Sequence, residues 1–168
     1  MDEIRIYPDP LLMKKAGKVQ NIDGQVKEIV DRMREAMHSH RGIGLAAPQI
    51  GILSQIIIVG LGESCRAFIN PELAEGEGES ILEEACLSLP LLEVSVKRKE
   101  KVFIQARDLD GNEVNLEVSG FPSRVYQHEI DHLHGILIID HITRLKRKLL
   151  IKKMINDLKR SQKAGQIL

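Results

Sequence analysis

Gln127-His128-Glu129-Ile130-Asp131-His132 is the stretch whose residue types and spacing could do chemistry. Two histidines four apart share one face of a helix, a turn from each other. Both imidazoles can reach a single metal ion, and Glu129 then lies beside whatever that ion binds. The segment offers two ligands and a base, so the third ligand decides the reaction. A zincin peptidase takes it downstream, from a Glu or a further His, but His134-Gly135-Ile136-Leu137 does not match that extension. Acids such as Asp140 stay open as ligands. So does Cys86, in Glu83-Glu84-Ala85-Cys86-Leu87-Ser88-Leu89-Pro90, just ahead of an alternating strand whose rigid backbone could aim a thiolate. His134 stands two positions beyond His132 and points off that face. It reads as a surface or packing residue, as do His38, His40 and His141.

The elements that must position these residues are partly legible. Pro122 can open a helix at its first turn and Gly135 can close it, which centres the His-Glu-x-x-His segment. Residues 4–12 read as an extended arm, with Pro8-Asp9-Pro10 forbidding a helix. Apolar residues at 26, 29, 30, 33 and 37 predict a helix from Gln25 to about Ser39, ended by Gly42. A glycine-rich loop, 42–49, and a strand-like Ile56-Ile57-Ile58-Val59 follow. Alternation at 92, 94 and 96, at 102, 104 and 106, and at 114, 116 and 118 predicts antiparallel strands. Asp108-Leu109-Asp110-Gly111-Asn112 is the turn between the last two. A short strand over Ile136–Ile139 and a final helix from about Thr143 to Ala164 complete the chain. The fold class expected is α+β: antiparallel sheets packed around a central helix carrying His-Glu-x-x-His, with a C-terminal amphipathic helix.

Composition narrows the setting. At 168 residues, one domain spanning 1–168 is expected, and 43% apolar with 29% charged residues is ordinary for a soluble protein. Aromatics at 3% argue against a base-stacking nucleic-acid platform. Lys plus Arg equals Asp plus Glu at 24 each, so no global field draws the chain to DNA. Acids at positions 2 and 3 are wrong for a signal peptide, and no run is long enough for a membrane span. Cytoplasmic location with Cys65 and Cys86 reduced is the matching expectation.

Three segments together resemble the signature motifs of peptide deformylases: Gly42-Ile43-Gly44-Leu45-Ala46-Ala47-Pro48-Gln49, Glu84-Ala85-Cys86-Leu87-Ser88 and Gln127-His128-Glu129-Ile130-Asp131-His132-Leu133. Ile6-Tyr7-Pro8-Asp9-Pro10-Leu11-Leu12 is similar to the family's N-terminal arm, so the likeness covers nearly the whole chain. The resemblance implies that Cys86, His128 and His132 are the metal ligands, with the fourth tetrahedral position left for water. It implies Glu129 as base and then acid, and Gln49 with the backbone N–H of Leu87 as oxyanion donors. The implied reaction is hydrolysis of the N-formyl group from formyl-methionine at the start of newly made proteins, releasing formate.

A thiolate ligand weakens zinc as a Lewis acid, which fits the family's preference for Fe2+, with Zn2+, Ni2+ or Co2+ able to take the same ligands. It also predicts oxygen sensitivity. Backbone groups around Ile43, Gly44 and Ala85 would hold the peptide main chain as an added strand, glycine permitting close approach. Ile43, Leu82, Phe121 and Val125 are the candidates for the methionine pocket. Three departures from the family pattern stand out: Ala85 where Gly is usual, Pro122-Ser123 where Leu-Ala is more frequent, and Leu91-Leu92 after Pro90, where a glycine is more typical.

Residues 144–163 hold nine Lys or Arg and one acid, Asp157. Leu150, Ile151, Met154, Ile155 and Leu158 form one stripe, with Lys148, Lys152, Lys153, Lys159, Arg160 and Lys163 largely opposite. The pattern serves a packing helix with a solvated face. Under the resemblance it also serves attraction to ribosomal RNA near the emerging chain. Two other classes remain: a metallopeptidase cleaving internal bonds, and a module whose metal is structural, which normally needs a fourth protein ligand.

Overall fold

The computed structural model describes residues 2–62 and 64–163, with side chains through Ser161. Helix α1 spans Gly24–Ser39 and is capped by Asp23, whose Oδ1 accepts from the N–H groups of Gln25 and Val26. Val26, Val30, Met33 and Met37 recur at helical spacing and are buried. They pack on one face of a five-stranded antiparallel sheet, order β1-β2-β3-β6-β7, whose strands are Gly44–Ala46, Ile56–Gly60, Cys65–Glu77, Lys101–Arg107 and Glu113–Ser119.

The apolar run in β2 is continuous because both faces are covered. Ile56 and Ile58 join the cluster under α1, while Ile57 and Val59 face the other way with Phe68, Val102 and Ile104. On that second face lies α2, Phe121–Leu133, through Val125, Tyr126, Ile130 and Leu133. Beyond α2 sits a two-stranded sheet, β4 (Ser80–Cys86) with β5 (Leu89–Arg98). Its inner residues share a third cluster with Leu137, Ile138, Ile139 and Met154 of α3, Arg144–Lys163. Antiparallel sheets thus flank one central helix, as the sequence pattern requires.

Several local expectations are corrected. Ile136–Ile139 is not a strand: Ile138–Asp140 forms a 3-10 turn, closed by Asp140 on the backbone N–H of Leu137 at 2.8 Å. Its apolar side chains are buried against the hairpin cluster without joining a ladder. The arm is not extended throughout. Asp9 caps a 3-10 turn at Pro10–Met13, because proline is accepted in a first turn. The stretch 42–49 contains the short strand β1 and a 3-10 turn, Ala47–Ile50. Strands β3 and most of β4 carry no clean alternation, so the sequence pattern does not predict them. Ala164, the expected end of the last helix, and the Lys163 side chain lie outside the described parts.

The termini of α2 explain its position. Ser123 Oγ has one proton to donate and lies within 3.1 Å of three acceptors, the carbonyls of Lys99, Glu100 and Gly120, while Gln127 both accepts from Lys99 N–H and donates to Lys99 O. These bonds tie the helix to the β5–β6 junction. At the other end Gly135 takes φ +72°, and a Cβ there would come within 2.7 Å of the Met13 backbone.

Candidate metal centre

Cys86 is the last residue of β4, followed by the turn Leu87-Ser88. The N-terminal arm fixes that turn: Tyr7 N–H donates to Ser88 O at 2.9 Å, and Arg5 N–H to Gln49 O at 2.7 Å. One extended segment therefore holds two of the predicted site segments in place.

Cys86, His128 and His132 converge, each offering one donor atom, with all three atoms within 4.8 Å of one another. Cys86 Sγ lies 3.3 Å from His132 Nε2, and the two imidazoles pack edge to face. Burial alone would raise the Cys86 thiol, but the neighbouring imidazoles of His132 and His128 hold it well below the ordinary thiol range. His128 Nδ1 donates to Glu84 Oε2 at 3.0 Å, which orients the ring with Nε2 on the cluster side. A soft thiolate and two imidazoles, one oriented by a carboxylate, are a fitting donor set for a divalent transition metal. Asp140, left open as a ligand from sequence, lies elsewhere, on Leu137 N–H and Arg147.

Glu129 is 5% exposed, and its Oε2 is a buried atom with no hydrogen-bond partner. Burial raises its pKa, against the pull of His128 and His132. A buried carboxylate with one free oxygen and raised basicity, beside a metal-binding cluster, suits a proton acceptor. Gly44 is what lets it sit there: a Cβ on Gly44 would come within 2.5 Å of Glu129 Oε1 and 3.0 Å of its Cγ. The glycine read from sequence as admitting a ligand therefore first admits the carboxylate.

Gln49 is 2% exposed and its amide is oriented. Oε1 accepts from Ala46 N–H at 2.8 Å, and Nε2 donates to Ser88 Oγ at 3.2 Å while lying 3.8 Å from Cys86 Sγ. An amide nitrogen carries two N–H groups, so this one can serve a second acceptor near the cluster.

A cleft of about 1000 Å³ opens onto these groups. Its walls include Ile43, Gly44, Gln49, Ala85, Cys86, Leu87, Phe121, Val125, His128 and Glu129, so the structure brings ten of the predicted site residues together. His132 lies deeper, 1% exposed. Leu82 is not brought to this cleft: it is a half-exposed residue of β4. Ile43 and Phe121 stand at the mouth, 43% and 55% exposed, and Val125 is buried. His40, expected as a surface or packing residue, also lines the cleft. Ala85 is tolerated because it lies in β4 with extended backbone.

Sequence reasoning gave no role to the ions beneath the cluster. Glu84 accepts from Arg98 at 2.9 Å twice and from Arg124 Nη1 at 2.6 Å, besides His128. Burial would raise this carboxyl, yet Arg98 and His128 hold it far below the carboxylate range. Arg98 Nη1 reaches Asp131 Oδ2 at 2.5 Å, which also accepts from His141 Nε2 at 2.7 Å. The one signal in the sequence was an acid two residues before the candidate ligand Cys86, since a ligating histidine usually has a carboxylate or carbonyl partner.

Comparison with known proteins agrees with this geometry. The family model described as polypeptide deformylase matches residues 1–148. A peptide deformylase of Thermodesulfovibrio yellowstonii is 46% identical over 156 residues, covering 90% of this chain and 94% of that protein. The crystal structure of a peptide deformylase from Legionella pneumophila superposes with a TM-score of 0.91 at 34% identity, covering 96% of this chain and 97% of that one. The corresponding Thermotoga maritima structure gives 0.83 at 40% identity, over 85% and 98%. With one family model across most of its length and relatives this similar, the chain belongs to the polypeptide deformylase family.

Proposed function

We propose that the protein removes the N-formyl group from the formyl-methionine that begins newly made polypeptides, releasing formate. The observation that carries this reading is the convergence of Cys86, His128 and His132 with the unpartnered oxygen of Glu129 beside them. Cys86, His128 and His132 hold one divalent metal, Fe2+ first, with Zn2+, Ni2+ or Co2+ as substitutes on the same donors. When bound, the metal supplies Lewis acidity toward the formyl oxygen and toward water.

The chain's own groups do the rest. Glu129 takes a proton from the attacking water through its unpartnered oxygen. As the formyl carbon becomes tetrahedral, Gln49 Nε2 and the Leu87 N–H donate to its oxygen. The C–N bond then breaks, Glu129 returns the proton to the departing amine, and formate leaves. Ile43, Phe121 and Val125 take the methionine side chain. Backbone around Gly44 and Ala85 pairs with the peptide main chain, which allows many sequences after methionine. These roles belong to one catalytic domain, 1–168, working in the cytoplasm; no described helix is long and apolar enough to cross a membrane.

The test is Glu129→Gln in protein purified without oxygen, with metal content and formate release measured on the same sample. Full metal occupancy with turnover reduced by about a hundred- to ten-thousandfold is expected. Retained turnover would remove Glu129 from its role. Backbone cleavage of the peptide would instead favour a metallopeptidase.

The basic face of α3 supports a ribosomal partner. Lys148, Lys152, Lys153, Lys159 and Arg160 are exposed, while Met154 is fully buried and Leu150, Ile151, Ile155 and Leu158 pack on the hairpin cluster. Because the helix is also core, the clean test replaces Lys148, Lys152 and Lys159 with Gln and leaves the chain length unchanged. Cosedimentation with ribosomes should weaken and lose salt sensitivity; an unchanged profile would leave α3 a packing helix.

A further inference from the structure

The donors proposed for the metal come from two separate units. His128 and His132 ride on α2, while Cys86 ends β4 in the hairpin. Among the described residues, no apolar cluster joins the two. The buried apolar residues of α2 belong to the five-stranded sheet's cluster, and those of the hairpin belong to the cluster with Ile138, Ile139 and Met154. What crosses the boundary is directional. His128 and Arg124 on α2 bond Glu84 on β4, and Arg98 on β5 bonds both Glu84 and Asp131 on α2.

Arg98 is buried to 6% exposure, and each nitrogen of its fork has a stated task. Nε and Nη2 take the two oxygens of Glu84, and Nη1 takes Asp131. A planar guanidinium fixes the angle between those carboxylates as a lysine cannot. Glu84 and Cys86 are two apart on β4 and so project from the same face. Setting Glu84 against α2 therefore also sets the thiolate against the imidazoles. From the outside, His141 holds Asp131, just ahead of α3.

We propose that Arg98 and Asp131 are positioning residues of the metal centre: they fix the hairpin's place on α2, and with it the spacing of the three donors. This rests on the reading of Cys86, His128 and His132 as ligands. Arg98 as a mere counter-charge for buried Glu84 makes a different prediction. Asp131→Asn leaves both arginines on Glu84, so that carboxylate keeps its counter-charges while the tie from Arg98 to α2 weakens.

The measurement is Zn2+ affinity of the metal-free full chain, by competition with a chromophoric chelator, beside the urea stability of the same metal-free samples. Asp131→Asn is expected to weaken Zn2+ binding ten- to a hundredfold. Arg98→Lys keeps the charge, loses the fork and should weaken binding at least tenfold. Affinity within twofold of wild type in both variants, with only metal-free stability reduced, would overturn the proposal. Undiminished Zn2+ binding by Cys86→Ser would overturn the ligand reading itself.

Discussion

The two sheets that flank α2 hold it by different means. Toward the five-stranded sheet the helix presents Val125, Tyr126, Ile130 and Leu133 to Phe68, Ile57, Val102 and Ile104, with the Phe68 and Tyr126 rings edge to face at 5.2 Å. That contact is apolar and non-directional, so it contributes stability in proportion to area and little to angle. Toward the hairpin the helix presents Arg124, His128 and Asp131, and the contacts are charged hydrogen bonds of fixed geometry. The first interface sets how firmly the histidines are carried. The second sets where the thiolate stands relative to them.

The largest effect should come from the apolar side. Phe68 is fully buried, and Phe68→Ala should cost about 4 kcal/mol. Because the loss lies in the scaffold, urea denaturation should show it equally with and without metal. A loss confined to the metal-loaded protein would break the division between the two interfaces.

Glu84→Ala attacks the other side. It leaves Arg98 and Arg124 buried without their shared carboxylate, at a cost of about 3 kcal/mol. Here stability and metal binding should fall together, since His128 also loses its Nδ1 acceptor. A variant that loses stability while binding metal as tightly as wild type would show that the ion cluster only neutralises charge.

Metal removal is the corresponding test without mutation. At a free metal concentration of a hundred times Kd, binding contributes about 2.7 kcal/mol to the folded state. Stripping the metal with a chelator should lower amide-exchange protection in β4 and β5 first, while α1 and β2 keep theirs. Equal loss everywhere would mean that the hairpin is not a separate unit.

This division also explains what could be read from the sequence. The histidine pair was legible because its spacing is local, one helical turn, and Cys86 because its flanking residues carry a motif. The ion cluster was not, since Glu84 meets Arg98 fourteen positions away and Arg124 forty away, and no local period records such meetings. Strand β2 announced itself through a continuous apolar run buried on both faces. Strand β3 did not: Glu72, Glu75 and Glu77 are exposed and its register slips twice, so alternation is lost. The Ile136–Ile139 run has the composition of a strand, but tertiary packing against the hairpin decided its backbone.

The smallest expected effect separates the two sheets at their irregular points. Asn70 on β3 takes φ 51° beside a register shift, and its side chain uses the conformation, accepting from Val19 N–H and donating to Val19 O at 2.8 Å each. Leu91 on β5 takes φ 64° where Cys86 pairs with Leu89 and Ala85 with Glu93, a slip that falls opposite the thiolate. A leucine gains nothing from that backbone, its side chain is 55% exposed, and the left-handed region costs it about 1–2 kcal/mol. Glycine removes that strain but gives back about half through unfolded-state entropy. Leu91→Gly should therefore raise stability by somewhat under 1 kcal/mol with Zn2+ affinity unchanged, whereas Asn70→Gly should lower it. If Leu91→Gly instead weakens Zn2+ binding, the slip is held in place by the leucine side chain, and the hairpin tip rather than the ion cluster controls the thiolate.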